Sequence, residues 1–161
     1  MTVEETIVRD LTDKFKFLDG KINIQRERRI IAEVSREEII DVIRFAKEKL
    51  SFPMLCAITG LDLGGSLQVI YQMSTEKGVV LSMKVDVPKD DPVIESVAPL
   101  FPGVTFYERE LIDMFGFQIK NIPDSYRYPL PDWWPTDQFP LRKDWKPAGV
   151  TLNGKGGPKD E

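Results

Sequence analysis

The sequence predicts an α+β fold in which helices pack on a mostly antiparallel sheet, with an extended Pro/Trp-rich C-terminal arm. Three β-rich runs lie close together between residues 54 and 87, and the last two are separated by a short loop that contains Gly78. Amphipathic helical patterns flank these runs on both sides. Beyond residue 120 neither a helical nor a strand period fits, which predicts the arm.

A capped amphipathic helix opens the predicted fold. Apolar side chains recur at helical spacing between residues 2 and 17, and Thr2 is followed three residues later by Glu5. This Thr-x-x-Glu pattern is typical of a capping box at a helix start. The alternation over residues 30–34 then predicts a strand.

A second capping pattern, Ser35 with Glu38, precedes apolar residues at helical spacing up to Leu50, which predicts a second helix. Three strands are expected next, of which the last two form a hairpin. They cover residues 54–59, 67–73 and 79–87. Pro92 follows an aspartate and opens a stretch to residue 101 that we interpret as a short helix.

A final helix is expected from residue 105 to Gly116, in the segment TFYERELIDMFGF. Thr105 and Glu108 form a third capping pattern, and Gly116 follows as the helix stop. Arg109 and Asp113 are spaced to pair on the helix surface. One apolar stripe is formed by Tyr107, Leu111, Met114 and Phe115.

The acidic residues of this helix allow two interpretations. Glu108 lies among apolar neighbours, so its carboxylate must find a cation or backbone donors. In the structural interpretation the acids cap the helix and hold the C-terminal segment on the core, with the available cations at Arg127, Arg142 and Lys143. In the catalytic interpretation Glu108, Glu110 and Asp113 form an acid/base or metal-binding set. The helical wheel favours the first, because the three acids point in different directions.

The chain divides into a core domain over residues 1–120, an arm over residues 121–147 and a Gly-rich tail over residues 148–161 that we expect to be flexible. The arm contains six of the twelve prolines and all three tryptophans. So many aromatic side chains in an irregular segment favour contact with a partner protein. The tryptophans expected at that interface are Trp133, Trp134 and Trp145.

The composition excludes several classes of function. Without histidine, the chain lacks the usual general base and the usual zinc and haem ligands. Its single cysteine, Cys56, lies in an apolar run and is expected in the core, and one thiol cannot hold an iron–sulfur cluster. The net charge is −4, and the most basic run is RERR at residues 26–29, interpreted as a solvated face, so nucleic acid is not expected as a ligand.

No stretch is long and apolar enough to cross a membrane, and the acidic N-terminus does not have the pattern of a secretion signal. We therefore expect a cytoplasmic protein that reaches a membrane only through partners.

Two linked motifs then define a resemblance. The string YERELIDMFGF, followed by an aromatic bridge and by FPLRKDW, resembles the 30 kDa subunit family of respiratory complex I, with related subunits in membrane-bound, energy-converting nickel–iron hydrogenases and their archaeal relatives. The matching residues are Glu108, Arg109, Glu110, Asp113, Met114, Phe115, Gly116, Pro140, Leu141, Arg142, Lys143 and Asp144.

The resemblance implies a structural subunit of a membrane-associated electron-transfer complex, with no catalytic, metal or cofactor site of its own. It implies docking onto a large catalytic subunit, either 49 kDa-like or of the nickel–iron hydrogenase type, beside iron–sulfur subunits at the cytoplasmic face of the membrane. Iron–sulfur clusters, and in a hydrogenase a nickel–iron site, would belong to those partners. The motifs and the three tryptophans would form the interface.

Two alternatives remain open from the sequence. One is a stand-alone carboxylate- or metal-dependent enzyme that uses Glu108, Glu110 and Asp113. The other is an assembly chaperone that binds the same partner only transiently.

Overall fold

The computed structural model describes residues 1–123 and 126–147. Seven strands and three α-helices occur in this part of the chain, and two short 3-10 turns lie at Lys16–Leu18 and Pro102–Val104. In chain order the elements are α1 (Val3–Lys14), β1 (Ile22–Arg26), β2 (Arg29–Glu33), α2 (Ile39–Lys49), β3 (Met54–Asp62), β4 (Ser66–Ser74), β5 (Val80–Pro88), β6 (Val93–Glu95), α3 (Thr105–Phe115) and β7 (Gln118–Lys120). The tail predicted over residues 148–161 lies outside the described residues.

A five-stranded sheet with the order β1-β2-β5-β4-β3 forms the centre of the domain. Only the β2–β5 pair is parallel, and the other neighbours in this sheet are antiparallel. The parallel pair requires a crossover between β2 and β5, and the intervening chain supplies α2 and the strands β3 and β4. The predicted fold class, α+β with a mostly antiparallel sheet, is confirmed.

The core lies on one face of this sheet. Alternate residues of β4 are buried while those between them are half-exposed, as period-2 geometry requires when only one face is covered. The apolar stripes of α1, α2 and α3 join these strand residues in a single cluster. Their most deeply buried members include Leu11, Val42 and Leu111, each with at most 1% exposure.

The N-terminal cap and the β4–β5 hairpin follow the prediction. Thr2 Oγ1 accepts a hydrogen bond from the Glu5 amide, and a Glu5 carboxylate oxygen accepts one from the Thr2 amide, so the capping box is complete. The second expected box is not formed. Ser35 Oγ donates to the Glu38 side chain instead, and no side chain caps α2.

Two other predictions about local structure were wrong, and one strand was not predicted. The helix expected from Pro92 is absent: Val93–Glu95 forms β6 and pairs in parallel with β7, because tertiary pairing overrides the local helix signal. Strand β1 was missed because four of its five residues are exposed and give no apolar alternation. Cys56 is exposed, since the strand register shifts between Leu55 and Ala57 and leaves it outside the regular alternation.

A glycine allows α3 to lie close to the sheet. A Cβ atom on Gly60 of β3 would stand 2.7 Å from side-chain atoms of both Leu111 and Phe115. Only a residue without a side chain therefore permits this approach of α3 to the strand. The contact fixes the position of the helix that bears the YERELIDMFGF motif.

Candidate protein-interaction site

Glu108 is buried at the junction of α3 with the segment after β6, with 2% of its surface exposed. One carboxylate oxygen accepts the Val97 amide at 2.7 Å and the other accepts Ser96 Oγ at 2.8 Å. Burial raises the pKa of Glu108, and these two hydrogen bonds oppose the rise. The capping box expected from Thr105 and Glu108 does not form. Thr105 lies inside the helix, and Glu108 binds the segment after β6 instead of the helix start.

Asp113 is the second buried acid of α3, and it binds the arm. Its carboxylate accepts the Leu130 amide at 3.1 Å and lies 3.5 Å from Arg127 Nε. Arg127 also donates through Nη1 to the carbonyl oxygens of Trp134 and Pro131. A single guanidinium therefore joins the core helix to the turn of the arm at residues 131–134.

The predicted surface pair between Arg109 and Asp113 does not form. The Arg109 guanidinium instead lies 4.5 Å from the centroid of the Phe106 ring, and its Nε donates to the Thr105 carbonyl. Asp113 is turned inward to the arm, which is why the helical-wheel prediction for this pair was wrong.

The PLRKD segment closes the C-terminal end of α3. The last carbonyls of a helix have no partner within it. Here the Leu141 amide donates to the Met114 carbonyl at 3.1 Å, and Arg142 Nε donates to the Phe115 carbonyl at 2.6 Å. A cation at this end also interacts favourably with the helix dipole. The two motifs are therefore in direct contact.

Gly116 ends α3 as predicted, with a left-handed φ of +74°. The space that a Cβ would take is filled by the ring of Phe139 from the arm, whose nearest carbon would stand 2.6 Å away. Glycine is therefore required here for two reasons: it adopts the left-handed backbone conformation, and it leaves room for the Phe139 ring of the arm.

Replacing Gly116 by alanine should loosen the arm. The left-handed turn and the close ring of Phe139 each oppose a side chain, so we expect a loss of about 2 kcal/mol in the free energy of unfolding. Urea denaturation measures it. Gly65→Ala is the matched control, because nothing lies within 4 Å of a Cβ there and no left-handed φ is found; equal effects of the two variants would contradict the packing argument.

A third buried acid, Asp62 at the end of β3, connects the sheet to the arm. Its carboxylate accepts the amides of Gly64 at 2.7 Å and Lys143 at 2.8 Å and lies 2.9 Å from Lys89 Nζ, which also contacts Asp144 at 3.3 Å. Burial alone would raise the pKa of Asp62, but these hydrogen bonds outweigh it and lower the pKa to about 2. Sequence reasoning missed Asp62 and Lys89, since neither belongs to a motif.

The three tryptophans form a small cluster within the arm. The buried Trp134 lies between the others, with its ring centroid 6.0 Å from that of Trp133 and 6.0 Å from that of Trp145. Gln138 accepts hydrogen bonds from two of the three indole N–H groups. Its backbone carbonyl accepts that of Trp134, and its side-chain oxygen accepts that of Trp145. The arm is therefore folded around its own contacts as well as anchored to the core.

Five large side chains on and beside the arm stay exposed. We call this set the exposed arm surface. Its members are Phe106 (54%), Tyr126 (75%), Tyr128 (43%), Trp133 (48%) and Leu141 (48%). Phe106 of α3 meets Tyr128 edge-on, with ring centroids 5.4 Å apart, so the core helix and the arm contribute to one surface. Exposed aromatic side chains in such a group mark interaction sites.

The acids proposed for catalysis are not brought together. Glu108 faces Ser96 and Val97, whereas Asp113 faces the arm. Glu110 is half-buried on α3. Among residues 1–123 and 126–147, no three His, Cys, Asp or Glu side chains are grouped as a metal site would require.

The geometry therefore defines an α+β domain in which the buried carboxylates of Asp62, Glu108 and Asp113 each accept a backbone amide, and two of them, Asp62 and Asp113, accept amides of the arm. The family model for "Respiratory-chain NADH dehydrogenase, 30 Kd subunit" matches residues 32–151. The chain belongs to this family of subunits of complex I-like and related respiratory complexes.

Individual relatives agree with this assignment. The chain is 33% identical over 144 residues to a subunit of the F(420)H(2) dehydrogenase of Methanosarcina mazei, covering 88% of this chain and 90% of the relative. It is 40% identical over 84 residues to formate hydrogenlyase subunit 5 of Escherichia coli. This match covers 51% of this chain and 15% of that protein. The fold matches a chain of the archaeal membrane-bound sulfane sulfur reductase with a TM-score of 0.80 and 25% identity, over 98% of this chain and 97% of that one.

Within the described residues, no helix combines the length and apolar character needed to span a bilayer. Among these relatives, the shared region can be most of a subunit or a small part of a larger one.

Proposed function

We propose that this chain is a cofactor-free structural subunit that docks onto, and orients, the large catalytic subunit of a membrane-associated electron-transfer complex. The partner would be 49 kDa-like or of the nickel–iron hydrogenase type, and would hold, with neighbouring iron–sulfur subunits, the redox groups. The complex would place this chain at the cytoplasmic face of the membrane, attached through its partners alone.

One observation carries the proposal: the arm is fixed to the core by its backbone while three of its aromatic side chains, Tyr126, Tyr128 and Trp133, stay exposed. Asp62 and Asp113 each accept an amide of the arm, and the last carbonyl of α3 accepts Arg142 Nε. The exposed arm surface is therefore held in place before a partner binds. A preorganised surface loses less conformational entropy on binding than a disordered one. Large aromatic residues are also the side chains that contribute most to binding energy at interfaces.

Replacing Trp133 by alanine tests the proposal. Its ring is 48% exposed and its neighbour Trp134 already fills the interior of the cluster, so the variant should fold normally. We expect recovery of the large subunit with the tagged chain to fall at least tenfold, since a central aromatic contact contributes about 2 kcal/mol or more. Quantitative mass spectrometry of the complex purified from membranes measures this.

Ile24→Ala is the matched control, because Ile24 is 39% exposed on β1 and lies outside the exposed arm surface. Unchanged recovery with Trp133→Ala, at unchanged stability, would remove this surface from the interface. A stoichiometric redox absorbance in the isolated chain would contradict the cofactor-free role.

A further inference from the structure

A second charged surface lies on the β1–β2 turn. Arg26, Arg28 and Arg29 border an open hollow of about 400 Å³ together with Glu27. Arg29 Nη1 donates to the carbonyl of Gly78, so the β4–β5 loop and its exposed Lys77 lie next to the turn. We call Arg26, Arg28, Arg29 and Lys77 the basic pole.

The basic pole combines like charges with a left-handed backbone position. Arg26 and Arg29 are direct partners across the β1–β2 ladder. Like charges placed opposite each other on paired strands are destabilising. The neighbouring Arg28 also has a left-handed φ of +60°, a conformation that costs a non-glycine residue energy. Functional sites are places where proteins keep local features of this kind.

The turn is nevertheless held firmly. The buried carboxylate of Glu4 from α1 accepts the Arg28 amide at 2.8 Å, and the Arg28 carbonyl accepts the Val80 amide at 2.9 Å. Arg29 uses Nη1 on the backbone carbonyls of Arg28 and Gly78, which leaves its other N–H groups for a ligand. The Arg28 side chain stays 60% exposed, and Glu27 is the acid 3.8 Å from it.

The basic pole is remote from the arm. Strand β5 begins at Val80 beside the turn and ends at Pro88. The next residue, Lys89, contacts Asp62, whose carboxylate holds the arm. Eight residue steps of about 3.3 Å separate the two ends by about 26 Å. The basic pole therefore lies at the opposite end of β5 from the contacts that Asp62 and Lys89 make with the arm.

We propose that the basic pole is a second docking site, which binds an acidic segment of another protein subunit. The mixed charges favour a protein segment over a lipid surface, because each exposed guanidinium can bind one carboxylate of an acidic segment in bidentate geometry. A flat anionic bilayer would be served equally well by a uniform cationic face, whereas here Glu27 stands among the arginines. The inference goes beyond the proposed function and rests on the chain being a subunit of a larger complex.

Binding to the full-length chain tests the chemistry. The probes are a fluorescent glutamate decapeptide, inorganic phosphate and vesicles of phosphatidylcholine with phosphatidylglycerol. We expect saturable binding of the peptide, at least tenfold weaker in Arg26→Glu/Arg28→Glu and abolished at about 1 M salt, where the Debye length is about 3 Å. Arg26→Gln/Arg28→Gln removes the same cations without adding acids and should also weaken binding.

Arg9→Glu/Arg44→Glu is the matched control, because both arginines form exposed ion pairs on helices and the net charge changes equally. Equal loss in the control would reduce the effect to net charge and overturn the site. Tighter binding to the vesicles than to the peptide would assign the pole to a lipid surface instead. Binding of phosphate alone would reduce it to an anion site and overturn the docking role.

A photo-crosslinker at Glu27 tests the site in the assembled complex. We expect a crosslink to an acidic segment of another subunit, lost in Arg26→Gln/Arg28→Gln and restored when acids of that segment are exchanged for lysine together with Arg26→Glu/Arg28→Glu. No crosslink, or one to lipid, would overturn the proposal. Because the crosslink is read separately from Trp133→Ala recovery, failure here and failure of the proposed function are distinguishable.

Discussion

Replacing Asp62 by alanine should release the PLRKD segment and lower the free energy of unfolding by about 3 kcal/mol. The carboxylate is buried and accepts the amides of Gly64 and Lys143 while pairing with Lys89. Its removal leaves two amide donors without their acceptor and leaves Asp144 as the remaining acid beside the largely buried Lys89 ammonium, which costs more than the loss of a surface contact. Denaturant unfolding, together with hydrogen exchange at the Lys143 amide, measures both effects.

Asp41→Ala is the control for this experiment, because the Asp41–Arg44 pair is exposed and should contribute little. The pH dependence gives a second check. The pKa of Asp62 is lowered from 3.8 to about 2. The stabilisation from its charge is therefore fully present above pH 4 and disappears as the pH falls towards 2. A stability gap between wild type and variant that is as large below pH 2 as above pH 4 would contradict an ionic role.

Replacing Glu108 by alanine should cost about 3 kcal/mol of the free energy of unfolding. The substitution leaves the Val97 amide and Ser96 Oγ without their acceptors inside the domain and opens a cavity beneath α3. Glu108→Gln keeps the shape and one oxygen acceptor, so its effect should be much smaller. Thermal and urea denaturation of both variants test the comparison.

The difference in stability between wild type and Glu108→Gln should also depend on pH. Burial raises the pKa of Glu108 in the folded chain, so folding disfavours its charged form. Wild type should therefore gain stability relative to Glu108→Gln as the pH falls from above the folded pKa towards 4.5, and the gain should stop there. A difference that does not change with pH would show that Glu108 does not titrate in this range.

The fold could be predicted where each element has its own sequence signal. The hairpin β4–β5 and helices α1 to α3 follow from apolar periodicity, and Gly116 from helix-stop chemistry. Strand β6 could not, because its pairing with β7 depends on residues more than 20 positions away. The exposed β1 gives no alternation to detect.

Only part of the candidate site could be predicted in the same way. The two motifs indicate that α3 and the PLRKD segment belong together, and their contacts at Met114 and Phe115 now give the physical reason. Arg127, expected as one of the cations for these acids, does pair with Asp113. The partner of Glu108 was not predictable, since the capping pattern of Thr105 and Glu108 is equally compatible with a helix start. Tertiary contacts at Val97 and Ser96 decide the outcome.

The placement of the indole rings gives the molecule a built-in optical probe. All three tryptophans of the chain lie in the arm, within one cluster. Ultraviolet emission excited at the red edge of protein absorption therefore arises from this segment alone, and the sheet and helices contribute none of it. Capture of the arm by a neighbour, or its detachment from the core, can be followed without any label.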